Sequence, residues 1–232
     1  MLNSHPLNST IGLLASGGLD SCILLGDLLR QGRTVQPFYI RTGVTWQEAE
    51  LASLRKFLAA VATPSLLELV LLDLPLADLY AEHWSISGAG VPRYDSPDEA
   101  VFLPGRNALL LVKPAVWCQL HGIRELALAP LGTSPFADAG PEFLASFQAA
   151  LNQGGAGGVE LVRPFARMNK RQVMTLGHGL PLELTFSCIS PISGQHCGRC
   201  NKCAERQAAF QSVSIPDRTH YALPASAPAS TS

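Results

Sequence analysis

Short apolar runs alternate with helical patterns along most of the chain, and this alternation restricts the fold more than any other feature. The first run, IGLLA at residues 11–15, contains no polar residue, which is typical of a strand covered on both faces. The apolar runs lie at residues 11–15, 35–40, 66–74, 125–131 and 159–165. A segment with apolar residues at helical spacing follows each run. The pattern predicts an α/β fold, an open and mostly parallel sheet with helices on both faces.

The composition fits one medium-sized domain. Of the 232 residues, 47% are hydrophobic, enough for a large core, and only 15% are charged, too few for a disordered chain. The net charge of −1 gives no strong field that would attract nucleic acid or an acidic membrane. The composition therefore argues against a nucleic-acid partner.

The two ends of the chain have different characters. The first ten residues, MLNSHPLNST, lack the charged and apolar regions of a signal peptide, and no apolar run reaches the roughly 18 residues of a membrane span. We therefore expect a cytoplasmic protein without a membrane partner. We expect an α/β domain at residues 1–180, a metal-binding segment at 181–221 and a disordered, low-complexity tail at 222–232.

Residues 16–21, SGGLDS, lie between the first predicted strand and its helix. Two adjacent glycines let the backbone approach a ligand, and N–H groups converge there with the positive end of the helix, a combination that binds phosphate. Ser16 and Ser21 supply hydroxyl donors, and Asp20 is suited to help hold the Mg²⁺ that accompanies a polyphosphate. Neither the Walker lysine nor the G-x-G-x-x-G pattern is present. The alternative is a tight turn in which Asp20 or Ser21 only caps the helix.

Four of the six cysteines lie close together near the C-terminus: Cys188, Cys197, Cys200 and Cys203. Two residues between successive cysteines let a loop turn both sulfurs toward one ion, and four thiolates complete the closed tetrahedral shell of a structural zinc ion. An iron–sulfur cluster and unliganded thiols are the alternatives. Cys22 and Cys118 stand in apolar segments and are predicted to be small buried side chains. His196 is predicted to be an exposed loop residue, and the alternative is that it lies beside the metal ligands or the substrate.

The string S-G-G-x-D-S after an apolar strand resembles the signature of the ATP pyrophosphatase superfamily, whose members cleave ATP between the α and β phosphates. With two further blocks, the chain resembles the 7-cyano-7-deazaguanine synthase family of the queuosine pathway. The blocks are SGGLDS (16–21), FLPGRNALLL (102–111), and PLELTFSC (181–188) continuing to HCGRCNKCAERQAAF (196–210). The resemblance spans nearly the whole chain and implies an adenine nucleotide alpha hydrolase-like fold.

The resemblance also implies roles for individual residues. Arg106 and Asn107 would face the nucleotide or the substrate from a helix start, and Lys170 would neutralise the phosphate charge that develops in the transition state. Asp20, Arg106 and Lys170 would then be the catalytic residues, and the four clustered cysteines would bind zinc. The pyrophosphate of ATP would be bound by Ser16, Gly17, Gly18, Leu19, Asp20 and Ser21.

The activity that the resemblance implies is that of a C–N ligase. Family members adenylate the carboxylate of 7-carboxy-7-deazaguanine with ATP and Mg²⁺, and they release pyrophosphate. Ammonia then displaces AMP, and the resulting amide is adenylated again and dehydrated to the nitrile. The family commonly forms homodimers, so the resemblance implies ammonia, a deazapurine and a second copy of the chain as partners.

Two segments depart from the family pattern. They are IRTGVTWQEAE (40–50) after the second strand and LGTSPFADAGPEF (131–143) after the fourth, where Asp138 alone matches the family's aspartate. Both lie where the nucleotide and the base are expected to bind. They therefore leave open the transfer of the activated acyl group to an amine of a protein or small molecule. A tRNA-modifying sulfur transferase and a non-catalytic binding module are two further alternatives.

Overall fold

The computed structural model describes residues 10–224, so the predictions for residues 1–9 and 225–232 lie outside the described residues. Within that range, five parallel strands form one open sheet in the order β3-β2-β1-β4-β5. The strands are β1 Thr10–Leu14, β2 Thr34–Arg41, β3 Val70–Asp73, β4 Glu125–Ala127 and β5 Glu160–Val162. The prediction of a parallel α/β sheet is confirmed.

The strand order reverses at β1, the central strand. The chain builds β2 and β3 on one side of β1 and then crosses to β4 and β5 on the other. Gly12 pairs with Gln36 of β2 on one side and with Leu126 of β4 on the other. Ligands of open parallel sheets bind in the crevice that such a reversal opens at the carboxyl ends of the strands. The SGGLDS loop follows β1 directly and therefore lies at this crevice.

Most helices of the described residues lie between successive strands, and the last two follow β5. They are α1 Leu19–Arg30, α2 Gln47–Ala60, α3 Ala77–Tyr80, α4 Trp84–Ser87, α5 Arg106–Leu120, α6 Pro141–Gly154, α7 Lys170–Leu176 and α8 Asn201–Gln211. Short 3₁₀ turns lie at Asp98–Val101, Ala137–Ala139 and Leu182–Leu184. In this part of the chain no helix combines the length and the apolar character that crossing a membrane requires.

Each face of the sheet buries an apolar core of its own. Leu13 of β1 lies in a core with residues of α1, α2 and α7, whereas Phe38 of β2 lies in a second core with residues of α5 and α6. Successive residues of a strand point to opposite faces, so a strand covered on both faces must be apolar throughout. This explains why the strand runs of the sequence lack polar alternation, and it confirms helices on both faces.

The C-terminal segment is bonded to the rest of the molecule through a buried arginine. Arg206 of α8 is 1% exposed and donates hydrogen bonds to the carbonyl of Leu182 (2.8 Å), to Thr185 Oγ1 (2.7 Å) and to Thr219 Oγ1 (2.8 Å). Phe210 of the same helix lies in the core beneath α1. The segment that carries the clustered cysteines is thereby held against the α/β core.

Candidate active site

The SGGLDS loop spans the turn after β1 and the first residues of α1, and it folds back on itself. Gly17 has φ +77°, a left-handed conformation that L side chains rarely adopt, and a Cβ there would lie 3.2 Å from the carbonyl oxygen of Glu50. The Ser21 hydroxyl donates to the Gly18 carbonyl and accepts from the Ser16 amide, both at 3.2 Å. The hydrogen bonds close the loop on itself, and Gly17 packs close to Glu50 of α2 with no room for a side chain.

Asp20 points toward another part of the chain. Gly18 is the N-cap residue of α1 and no side chain caps the helix, so the alternative in which Asp20 or Ser21 only caps it is wrong. Instead, Lys170 Nζ donates to both carboxylate oxygens of Asp20, at 2.9 and 2.7 Å. Lys170 is the first residue of α7, whose start is fixed by a capping box between Asn169 and Gln172.

The ion pair continues into α8. Lys170 Nζ lies 2.9 Å from Glu205 Oε1, and Lys202 Nζ lies 2.6 Å from Glu205 Oε2. Burial lowers the pKa of Lys170, but Asp20 and Glu205 outweigh this effect, so the net pKa is raised and the ammonium stays charged. Burial acts to raise the pKa of Glu205, but Lys170 and Lys202 lower it to about 2. Burial also raises the pKa of Asp20, against the effect of Lys170. Four alternating charges thus connect α1, α7 and α8.

The predicted site residues surround one cavity of about 390 Å³. This volume lies in the usual range of small-molecule sites. The cavity opens at the carboxyl ends of the strands and is closed on one side by Phe186 and Ser187 from the cysteine segment. Predicted residues that line it are Ser16, Gly18, Leu19, Asp20, Ser21, Arg106, Asn107 and Lys170, whereas Gly17 does not line it.

The start of α5 forms another wall of the cavity. The Asn107 backbone N–H donates to Asp138 Oδ2 (3.3 Å), and its side-chain amide donates to Asp138 Oδ1 (2.9 Å). Asp138 therefore fixes the first turn of α5 and with it the neighbouring Arg106. The Arg106 guanidinium faces the cavity beside Glu50. Asn107 is thereby committed to Asp138, and Arg106 is the residue of this pair that offers a charge to a ligand.

Glu50 is a cavity residue that the sequence analysis did not find. Tyr39, Trp46 and Arg106 line the same cavity as Glu50. Burial raises the pKa of Glu50 to about 7, although the charge of Arg106 opposes this rise. Glu50 stands in a helix among other acidic residues, so no pattern in the sequence distinguishes it. The one indication in the sequence that Glu50 belongs to the site is that it ends segment 40–50, which differs from the family pattern.

Aromatic side chains from the two segments that differ from the family pattern, residues 40–50 and 131–143, also line the cavity. Trp46 stacks on Trp84 of α4 with ring centroids 5.6 Å apart, and Phe136 stacks on Phe102 at 5.5 Å. Trp46, Trp84 and Phe136 belong to the cavity lining. The segments that differ from the family pattern therefore supply flat apolar walls to the site.

The four clustered cysteines meet in space. Their sulfur atoms all lie within 4.8 Å of one another, and all four side chains are buried. Backbone N–H groups of Ser190 and Cys197 donate to Cys188 Sγ at 3.3 and 3.2 Å. Amide donors of this kind stabilise thiolates, and four thiolates suit a tetrahedral metal ion with no open position. The arrangement fits a structural metal site.

The two predictions for residues outside the cluster have opposite outcomes. Cys22 and Cys118 are fully buried among apolar side chains, as expected. The prediction of an exposed His196 is wrong, and the alternative place beside the site agrees with the structure: the side chain is 5% exposed, and its Nε2 accepts a hydrogen bond at 3.1 Å from the amide of Ser187, a cavity residue. Burial lowers the pKa of His196 to about 3, so the ring is neutral and positions the cavity wall at Ser187.

Fold and site together define a class: parallel α/β proteins with a cavity at a glycine turn after the central strand and a four-cysteine cluster that could hold a metal ion. Comparison with known proteins agrees and is more specific. The model of the family described as "Queuosine biosynthesis protein QueC" matches residues 10–214. The chain belongs to this family.

Individual relatives cover most of the chain. A "7-cyano-7-deazaguanine synthase 1" of Desulfitobacterium hafniense is 33% identical over 208 residues, which are 86% of this chain and 90% of that protein. A "7-cyano-7-deazaguanine synthase" of Leptospira interrogans is 26% identical over 91% of this chain and 90% of its own length. One from Xanthomonas campestris is 28% identical over 91% and 97%. The family resemblance inferred from the sequence blocks is confirmed.

Proposed function

We propose that this protein is a ligase that uses ATP to convert 7-carboxy-7-deazaguanine into 7-cyano-7-deazaguanine. The carboxylate attacks the α phosphorus of ATP and pyrophosphate leaves. Ammonia then attacks the acyl adenylate, and AMP leaves as the amide forms. The amide oxygen takes a second AMP from ATP, and loss of that AMP and of protons gives the nitrile. Membership of the queuosine family and the geometry of the SGGLDS loop support this proposal.

The chemistry explains why a phosphate-binding loop is needed. A carboxylate or amide oxygen is a poor leaving group until a phosphate is attached to it. The Ser16–Ser21 loop would hold the departing pyrophosphate through backbone N–H groups at the start of α1, together with the Ser16 hydroxyl, which is exposed. Asp20 would hold Mg²⁺, whose charge supports departure of the pyrophosphate.

Two cations of the cavity would stabilise the transition state. Negative charge grows on the bridging oxygen as the bond between the α and β phosphates breaks, and a fixed cation in a partly dehydrated site lowers that barrier. Lys170 stays charged because Asp20 and Glu205 surround it. Arg106 faces the same cavity from α5. We assign both residues to phosphate contact.

The cysteine cluster would hold zinc in a structural role. A closed shell of four thiolates leaves no position for substrate, and the cluster sits behind the wall formed by Phe186 and Ser187. The base would lie against this wall. Zinc would thus fix the wall and take no part in the chemistry.

The protein would act as a cytoplasmic homodimer. Val112, Val116 and Leu120 are exposed and recur every four residues on α5, and Leu120 is 66% exposed. An exposed apolar stripe of this kind supports an interface between copies.

The observation that carries the proposal is the convergence of the loop, Lys170 and Arg106 on one cavity. The test is to incubate the protein with ATP, Mg²⁺, ammonia and the carboxylated base, and to identify the products by mass spectrometry. We expect the nitrile, AMP and pyrophosphate, each dependent on the base. Formation of ADP, or release of AMP without any need for the base, would contradict the proposal.

The departing segments favour a second candidate, in which the same acyl adenylate passes to an amine of a protein or small molecule. Trp46 and Phe136 come from these segments and line the cavity. AMP formation that depends on the base but yields no amide or nitrile with ammonia would favour this candidate. A sulfur transferase has less support, because none of the cysteines in the described range lines the cavity, and burial raises the pKa of Cys118 to about 12.

A further inference from the structure

Two charged residues of the cysteine segment reach the part of the cavity that Asp20 and Lys170 line. Lys202 and Glu205 lie on α8, within one turn of each other, and both line the cavity that holds the SGGLDS loop. They come from the part of the chain whose proposed role is only to bind a structural metal. Their position beside Lys170 suggests that they also contribute to ligand binding in the cavity.

The hydrogen bonds of the two lysines differ in a way that matters for ligands. An ammonium group has three donors. Lys170 commits all three, because its Nζ contacts Asp20 Oδ1 (2.9 Å), Asp20 Oδ2 (2.7 Å) and Glu205 Oε1 (2.9 Å). Among the described residues, Lys202 Nζ contacts Glu205 Oε2 alone, at 2.6 Å. Two donors of Lys202 are therefore available to a ligand in the cavity.

Glu205 connects the two lysines. Its two carboxylate oxygens bond to different ammonium groups, so it sets the direction of both side chains. Lys170 and Lys202 side chains are each 26% exposed and that of Glu205 is 35% exposed, which places the group at the cavity wall, neither in the core nor free in solvent. A long lysine side chain loses rotamer entropy when it is held, and a partner that holds it in advance reduces that loss on binding.

We propose that Lys202 is a second phosphate-contacting residue of this site and that Glu205 is a positioning residue that orients Lys170 and Lys202. This inference rests on the proposed use of ATP. The four charges of the resting site cancel, since two carboxylates face two lysines. A polyphosphate with Mg²⁺ brings one partner for the carboxylates and another for the lysines. Mg²⁺ binds at Asp20 and so frees the donors by which Lys170 contacts Asp20. The phosphates then accept hydrogen bonds from these donors and from the two free donors of Lys202.

The location of Lys202 also depends on the cysteines. Cys200 is the N-cap residue of α8, and Cys203 lies in its first turn next to Lys202. Metal bound by these thiolates would fix the first turn of α8 and thereby the point from which Lys202 extends. The cysteine site would thus support phosphate binding as well as the fold.

The first experiment measures binding of pyrophosphate and of a non-hydrolysable ATP analogue, with Mg²⁺, by calorimetry on the zinc-loaded protein. We expect Lys202→Gln to weaken pyrophosphate binding about tenfold or more. The matched control is Lys56→Gln, an exposed lysine of α2 outside the cavity lining. Equal affinities of the wild type and Lys202→Gln would overturn the inference. No acyl substrate is involved, so failure of the proposed product does not affect this result; a wild type that binds neither ligand would contradict the proposed function.

The second experiment separates positioning from stability. We expect Glu205→Gln to lower kcat for AMP formation about tenfold while the KM for ATP stays equal or falls, because the substitution disorients Lys170 but also removes a negative charge near the phosphates. Glu205→Asp, which keeps the charge on a shorter side chain, should recover part of kcat. A parallel loss of metal content and thermal stability with unchanged kcat would overturn the positioning role. Glu183→Gln, an acidic residue outside the cavity lining, is the control.

Discussion

The ammonium group of Lys170 lies 2.7 Å from the carboxylate of Asp20, although the two residues are 150 positions apart in the chain. The pair joins the first turn of α1, directly after the glycine loop, to the first turn of α7. It brings the residue that we propose as the Mg²⁺ ligand next to a residue that we propose contacts phosphate.

The Asp20 carboxylate is predicted to be essential for activity. Asp20→Asn keeps the shape but loses the charge, so it weakens the bond to Lys170 and removes the proposed Mg²⁺ ligand. AMP formation should fall at least a hundredfold, or about 2.7 kcal/mol in the barrier. Asp27→Asn alters the same helix outside the cavity lining and should keep wild-type turnover. Turnover of Asp20→Asn within threefold of the wild type would contradict the assignment of the loop.

A methyl group at Gly17 should damage both folding and nucleotide binding. Gly17→Ala imposes left-handed strain of about 1–2 kcal/mol on an L residue and brings its Cβ to 3.3 Å from Leu54 Cβ. Gly32→Ala is a matched control, since Gly32 has φ +76° and no atom lies within 4 Å of the position that its Cβ would take. Both variants should unfold at lower denaturant, but Gly17→Ala alone should lose affinity for pyrophosphate. Equal affinity in the two variants would show that the loop tolerates movement.

The cysteine cluster should bind one zinc ion per chain. Cys203→Ser should lose the metal and lower the melting temperature by roughly 10 °C, equivalent to about 3 kcal/mol in a domain of this size. Metal analysis and calorimetry check this, and Cys118→Ser should retain the zinc because Cys118 lies in another core. If the protein were brown and contained iron, the cluster would be assigned to an iron–sulfur centre and the zinc prediction would be wrong.

Arg206 should be important for stability. It is buried without a carboxylate partner in its hydrogen bonds. Arg206→Met would remove the donor to the Thr185 and Thr219 hydroxyls and one of the donors to the Leu182 carbonyl, which keeps its hydrogen bond from Thr185. The expected loss in the free energy of unfolding is about 3 kcal/mol, measured by denaturant titration. Arg218→Met changes an exposed arginine of the same segment and should cost less than about 0.5 kcal/mol.

Glu50 should make stability depend on pH. Its pKa is about 7 in the folded protein against an ordinary value of 4.5, so the folded state holds this proton more tightly than the unfolded state does. The stability contribution is complete below pH 4.5 and is lost as pH rises through 7. The free energy of unfolding of Glu50→Gln should therefore equal that of the wild type near pH 4.5 and exceed it by about 1–2 kcal/mol above pH 7. This difference is smaller than the pKa shift alone would give, because solvent in the open cavity screens the carboxylate. Glu48→Gln, on an exposed position of the same helix, should show no such trend. A constant difference between Glu50→Gln and the wild type across pH 5–8 would contradict the prediction.

The local pattern of the chain was sufficient to predict the sheet and the glycine loop. A strand covered on both faces must be apolar throughout, and a helix that packs on it must present an apolar stripe, so both requirements appear in neighbouring residues. The grouping of Cys188, Cys197, Cys200 and Cys203 was predictable for the same reason, since short spacing brings their thiols together.

Contacts between distant segments were not predictable in this way. Burial of His196 depends on the Ser187 amide and the Phe186 ring, and the position of Glu50 depends on Trp46, Tyr39 and Arg106. The periodic spacing of apolar and polar residues along the chain does not predict which distant residues come into contact.

The sequence alone determined the parallel sheet, the SGGLDS loop at its switch point and the four-cysteine cluster, because each follows from residues close together in the chain. Only the tertiary structure decided that Lys170 pairs with Asp20, and that Glu205 and Lys202 extend this pair into the cysteine segment. The physical reason is that an ion pair between distant residues depends on how α1, α7 and α8 pack around one cavity, and that packing is a property of the whole fold.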